Sequence, residues 1–141
     1  MNSLCRILED AELIVGYNLC GFDWTVLKKY FKDKSAYFMC REKTHDIFSK
    51  LRDATGIWFK LDRLLDANNM SLKSGDGLKA IEYWNEGKRD ELQEYCEQDV
   101  IACARLSLKH RIQTGNGNAL PNHTFGTATA LSALRFSKQI S

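Results

Sequence analysis

Leu13–Tyr17 reads LIVGY, a short and nearly continuous apolar run. A strand of this kind has no face to give to water, so it needs cover on both sides. It is the pattern of a strand covered on both faces. The residues that follow, NLCGFDWTVL, turn helical: from Asp23 onward, Trp24, Leu27 and Phe31 recur at helical spacing. At the changeover Asn18 and Asp23 stand among residues that are otherwise apolar or small. The end of a buried strand is where open α/β sheets commonly place their sites, so a carboxylate there calls for a reason.

The rest of the chain is predominantly helical in pattern. Residues 3–12 read as the end of a helix with Leu4, Ile7 and Leu8 on one side. AYFMCREKTHDIFSKL is ambiguous; a second strand is expected near residues 43–48, running into a helix from about Ile47. KLDRLLDANN is a short helix with Leu61, Leu64 and Leu65 in phase. In LKSGDGLKAIEYWNEGKRDEL, Ser74 and Asp76 are cap candidates, Leu78, Ile81 and Trp84 form a stripe, and Gly87 is placed to stop the helix. RDELQEYCEQDVIACARLSLKH is the strongest helical segment. It starts at a capping-box-like Asp90–Gln93 pair and runs to about His110, some 30 Å. Beyond it, TGNGNALPNHTFGTAT reads as loop or tail. The expected division is therefore a folded domain over residues 1–112 and a basic Gly/Asn/Thr-rich tail over 113–141.

Composition narrows the function classes. At 141 residues the chain suits one domain. Its 27% charged and 44% hydrophobic residues are ordinary for a globular protein, which argues against a disordered or fibrous chain. MNSLCRILEDAELIV carries acidic residues where a signal peptide would have its apolar core. No apolar run approaches the ~20 residues needed to span a bilayer. Five cysteines, odd in number and without a C-x-x-C pair, read as reduced thiols of an intracellular protein. The three histidines, His45, His110 and His123, stand apart, so no zinc site is indicated. The net charge is only +2, but after Asp99 five basic residues follow and no acidic one. That C-terminal third is equally suited to meeting phosphates and to being a solvated face.

The long helix repeats the puzzle of Asp23. Its apolar stripe passes through Leu92, Tyr95, Cys96, Val100, Cys103 and Leu106, and Asp99 falls in the middle of it, away from Glu91, Glu94 and Glu97. A lone carboxylate aimed at a core costs several kcal/mol unless it is paired, hydrogen-bonded or bound to a metal. Tyr95 and Asp99, four residues apart, share that face. Taken singly, each residue has a plain structural reading. Asp23 can cap its helix, Tyr95 can be an amphipathic core residue, and Asp99 can pair with Arg105 or Lys79. Taken together, two aspartates and a tyrosine also fit metal-dependent phosphodiester cleavage. That chemistry uses hard divalent cations, Mg²⁺ or Mn²⁺, held by carboxylate oxygens.

VGYNLCGFDWTVL resembles the second motif of the DEDD, or DnaQ-like, 3′–5′ exonucleases, and YCEQD resembles their third motif in its Y-x-x-x-D, or DEDDy, version. The segment from Leu72 to Leu106 looks most like YprB-type ribonuclease H-like domains. The resemblance covers about residues 8–110. It implies a ribonuclease H-like fold, Asp23 and Asp99 as metal-associated carboxylates, Tyr95 holding or helping to deprotonate the attacking water, and Asn18 and Phe22 contacting substrate or supporting the site. It also implies a two-metal Mg²⁺ or Mn²⁺ site and a single-stranded nucleic-acid 3′ end as partner. The family's first motif, D-x-E on a strand, has no good counterpart. Asp10-Ala11-Glu12 has that spacing, but it reads as a polar helix terminus just before the strand.

The expectation is thus a helix-rich, truncated ribonuclease H-like α/β domain with two parallel strands and flanking helices, its first three strands absent. With two acidic ligands missing, activity would be weak or nil. An uncovered apolar strand edge would invite a partner chain or self-association. The alternative is a non-catalytic module on the same fold that binds nucleic acid or protein.

Overall fold

A computed structural model describes residues 2–70, 78–109, 111–115 and 119–121. The chain divides into two compact units, one running to Trp58 and the next from Phe59 to His123.

The first unit is a strand–helix–strand crossover. Helix α1 (Asn2–Asp10) leads into strand β1 (Ile14–Gly16), helix α2 (Asp23–Leu27), a 3-10 turn (Lys28–Tyr30), helix α3 (Lys34–Glu42), strand β2 (Thr44–Asp46) and helix α4 (Ile47–Thr55). The two strands pair in parallel, Ile14 opposite Thr44 and Gly16 opposite Asp46. The pairing matches the two parallel strands expected, but Ile14 and Val15 are only half-buried, so β1 is not the fully covered strand that LIVGY suggested. The strand expected over 43–48 is confined to three residues because Asp46 ends it by capping α4.

Helix α3 falls in the segment that was ambiguous in sequence. Its N-cap is Asp33, whose carboxylate accepts the Ser35 N–H, and its buried face is Tyr37 and Cys40, three residues apart. Those two residues complete a core with Cys5, Trp24 and Phe31. The Trp24 and Tyr37 rings meet nearly perpendicular at 5.7 Å. Trp24 Nε1 donates to Thr44 Oγ1 at 3.0 Å, and the Tyr37 hydroxyl donates to the Trp24 carbonyl. Both polar tips of these buried aromatics are therefore satisfied. In α1 the buried residue is Cys5, whereas Ile7 is 65% exposed, so its apolar side is rotated from the expected Leu4–Ile7–Leu8 line.

The second unit holds helices α5 (Leu61–Ala67), α6 (Leu78–Asn85) and α7 (Arg89–Ser107), then strands β3 (Arg111–Gln113) and β4 (Ala119–Pro121). Leu64, Leu65, Leu106 and Ile112 are buried. Asn68, itself buried, behaves like a strand residue: its amide donates to the Gln113 carbonyl and accepts the Gln113 N–H. Gly87, with φ of +70°, turns the chain between α6 and α7 as its position implied.

Three expectations are corrected here. The segment after the long helix is not merely loop, since β3 and β4 form an antiparallel ladder with Ile112 opposite Leu120. Helix α7 stops at Ser107, and its start is not a capping box: the N-cap is Lys88, without a side-chain cap, and Asp90 lies inside the first turn. Leu78, Ile81 and Trp84 do share a helix, but all three are exposed. The cap candidates Ser74 and Asp76, and most of the 113–141 tail, lie outside the described residues. No described helix is long and apolar enough to cross a membrane.

Candidate functional site

In the first unit the organising group is one the sequence reading passed over, the carboxylate of Asp46. It is 3% exposed. One oxygen accepts the Asn18 N–H at 2.8 Å and the Phe48 N–H at 3.1 Å, and the other accepts the Cys20 N–H at 2.9 Å. Ser49 adds its own N–H and hydroxyl. The same side chain thus caps α4 and ties down the turn that leaves β1. Charge-assisted bonds of this kind are stronger than neutral ones, and here they bridge segments 26 and 28 residues apart.

That turn sets the position of Asp23. Asn18 adopts a left-handed backbone, φ 59°, a conformation Asn tolerates better than most residues. Its carbonyl accepts the Phe22 N–H. A side chain at Gly21 would collide with the Asn18 carboxamide. Helix α2 then opens at Asp23 and is anchored by Trp24 in the core. Asp23 is not the N-cap: that position is Phe22, and no side chain caps the helix. Asp23 is instead half-buried, while Asn18 is exposed and Phe22 is 63% exposed. Burial raises the Asp23 carboxyl pKa above its ordinary value. Its own backbone N–H opposes the rise, and the Asp46 charge adds to it.

In the second unit the line of contact along α7 runs Leu92, Tyr95, Asp99, Ala102 with Cys103, and Leu106, all buried or half-buried. Cys96 and Val100 flank that line and are exposed, so the stripe is narrower than expected. Asp99 stays on it, one turn beyond the buried Tyr95. Burial raises the Asp99 pKa, and the Asp62 carboxylate on α5 adds to the effect. Neither Arg105 nor Lys79, the partners of its plain structural reading, forms a salt bridge with Asp99. Among the described residues the salt bridges are Arg52–Asp53 and Lys88–Glu86.

The structure therefore brings Asn18, Phe22 and Asp23 together on one turn, and Tyr95 and Asp99 together on one helix face. Among the described residues no group of three or more His, Cys, Asp or Glu side chains is gathered to hold a metal ion. Asp23 and Asp99 are both half-buried, and among the described residues neither forms a salt bridge with Lys or Arg.

The family model RNase_H_2, described as RNase H superfamily, matches residues 1–110. The chain belongs to the RNase H superfamily. Neither the curated proteins nor the solved structures contain a match. Within this superfamily domain, Asp10 ends α1 and Glu12 is exposed just before β1, so the D-x-E triplet lies on no strand. Part of the role of Asp46 was open to sequence reading: an aspartate directly before IFSKL, with Ser49 three residues on, is a helix-start signal. Its grip on Asn18 and Cys20 was not, because nothing local marks it.

Proposed function

We propose that this RNase H-like chain is a fragment or degenerate member of the two-metal 3′–5′ exonucleases of DEDDy type, closest to YprB-type domains, acting on a single-stranded nucleic-acid end. The observation that carries the reading is the pair of half-buried carboxylates, Asp23 and Asp99, whose pKa values are raised and which no cationic side chain neutralises among the described residues. RNase H-like domains generally bind nucleic acid, and the superfamily supports a nuclease-type role.

In this reading Asp23 and Asp99 hold Mg²⁺ or Mn²⁺. When bound, such an ion supplies a water of lowered pKa and neutralises charge on the scissile phosphate. Tyr95, on the Asp99 face of α7, would hold the attacking water or help to deprotonate it. Exposed Asn18 and Phe22 contact the nucleotide, held in place by Asp46 through the turn. We also read β1 and β2 as part of a wider sheet. Among the described residues β1 pairs on one side only, and its remaining edge is suited to a strand from a partner or a second copy. None of the five cysteines forms a disulfide, which fits a reducing, intracellular setting.

A second reading, a non-catalytic binding module, is favoured by the placement of Asp10 and Glu12 off any strand. The two are separated by Mn²⁺-dependent digestion of a 3′-labelled single strand, comparing wild type with Asp23→Asn and Asp99→Asn. Stepwise shortening by wild type and at least a tenfold loss, roughly, in each variant is the expected nuclease result. Equal and negligible cleavage in all three would leave only the binding module.

A further inference from the structure

Trp58 is 73% exposed, the most exposed of the large apolar side chains among the described residues. An indole left in water forgoes the burial that usually stabilises so large an apolar side chain. Yet the ring is held in a defined place. Gly56, at φ +72°, ends α4, and the Ile57 N–H then donates to Thr55 Oγ1. The indole meets the Phe48 ring at 5.4 Å, nearly perpendicular, and Phe48 in turn meets the Tyr17 ring at 5.6 Å. The Arg52 guanidinium lies 5.9 Å from the Phe48 ring centroid and 6.0 Å from that of Trp58, steadied by Asp53 at 3.0 Å.

This row of rings starts at Tyr17, next in sequence to Asn18, and ends at an indole open to solvent with a cation beside it. We infer that Trp58, backed by Phe48 and Arg52, is a stacking platform for a nucleobase of the single strand engaged at the Asn18–Asp23 turn. The inference rests on the nucleic-acid reading above and extends it to a particular subsite. An aromatic face flanked by guanidinium accepts any base, because every base offers a π-face, and Arg52 adds attraction for the phosphate that follows. Phe48 is buried and belongs to the fold, so Trp58 is the member free to contact the base.

The test uses the full chain and two fluorescently labelled strands of equal length, an oligothymidylate and an abasic backbone, with binding read by anisotropy. Wild type should bind the oligothymidylate more tightly than the abasic strand. Trp58→Ala should weaken oligothymidylate binding about tenfold, Trp58→Phe should restore most of it, and neither should change abasic binding. Equal oligothymidylate affinity in wild type and Trp58→Ala would overturn the platform while leaving nucleic-acid binding intact. So would a parallel loss on both strands, since that marks a general change rather than stacking. If wild type bound neither strand, the nucleic-acid reading would fall and the platform with it. Circular dichroism melting of Trp58→Ala, expected to match wild type because the side chain is exposed, verifies that the variant is folded.

Discussion

Asp46 shows how one side chain can govern a site it does not belong to. Its carboxylate takes hydrogen bonds from Asn18, Cys20, Phe48 and Ser49, so removing it strands several part-buried N–H groups at once. Asp46→Ala should cost about 2–4 kcal/mol, read as a lowered denaturation midpoint, whereas Asp46→Asn should cost less because one acceptor oxygen survives. The neighbouring His45 sets a pH dependence. Burial, chiefly, lowers its pKa to about 4 from 6.5, with the Lys50 charge acting the same way and the Asp46 charge against it. The unfolded chain therefore takes up the proton first as pH falls. The stability that neutral His45 contributes is complete above pH 6.5 and is lost between 6.5 and about 4, amounting to about 3 kcal/mol. Chemical denaturation at stepped pH should show that decline in wild type and a flatter profile in His45→Gln. Asp23 and Asp99 act in the opposite sense, since a raised carboxyl pKa means that folding is favoured by protonation as pH falls.

At the scale of elements, periodicity was a good guide wherever one helix face met one core. Residues 61–67 and the turn at Gly87 were legible for that reason, and so was Asp99 on the contact line of α7. Helix α3 was not. Its sequence KSAYFMCRE holds good helix formers in Lys, Ala, Met, Arg and Glu, but Tyr, Phe and Cys between them suit a strand as well, and only the Asp33–Ser35 cap and the Tyr37–Cys40 spacing mark the helix. The breadth of the α7 stripe was also misjudged: apolar type alone cannot tell Val100, which is exposed, from Cys103, which is not. Long-range choices, such as Asn68 pairing with Gln113 or Asp46 with the Asn18 turn, leave no local pattern to read. One terminus gives a clean test. At Gly56 an added Cβ would meet nothing within 4 Å, so only the left-handed backbone resists a side chain. Gly56→Ala should cost about 1 kcal/mol in thermal or chemical unfolding, and Gly56→Asn distinctly less.

For the molecule as a whole, ion binding should register as stability even if turnover is nil. A ligand that binds only the folded state stabilises it by mass action, about 2.7 kcal/mol at a hundredfold excess over its dissociation constant. Millimolar Mn²⁺ should therefore raise the melting temperature of wild type. Asp23→Asn and Asp99→Asn should each reduce that rise. Absence of any shift in wild type would count against the metal assignment as a whole. The crossover of the first unit has one more consequence. Every described contact that fixes the Asp23 turn, from Cys5 through Ser49, is made within the N-terminal stretch of the chain. On the ribosome that stretch emerges ahead of α5 to α7, so these contacts can begin to form while those helices are still being synthesised.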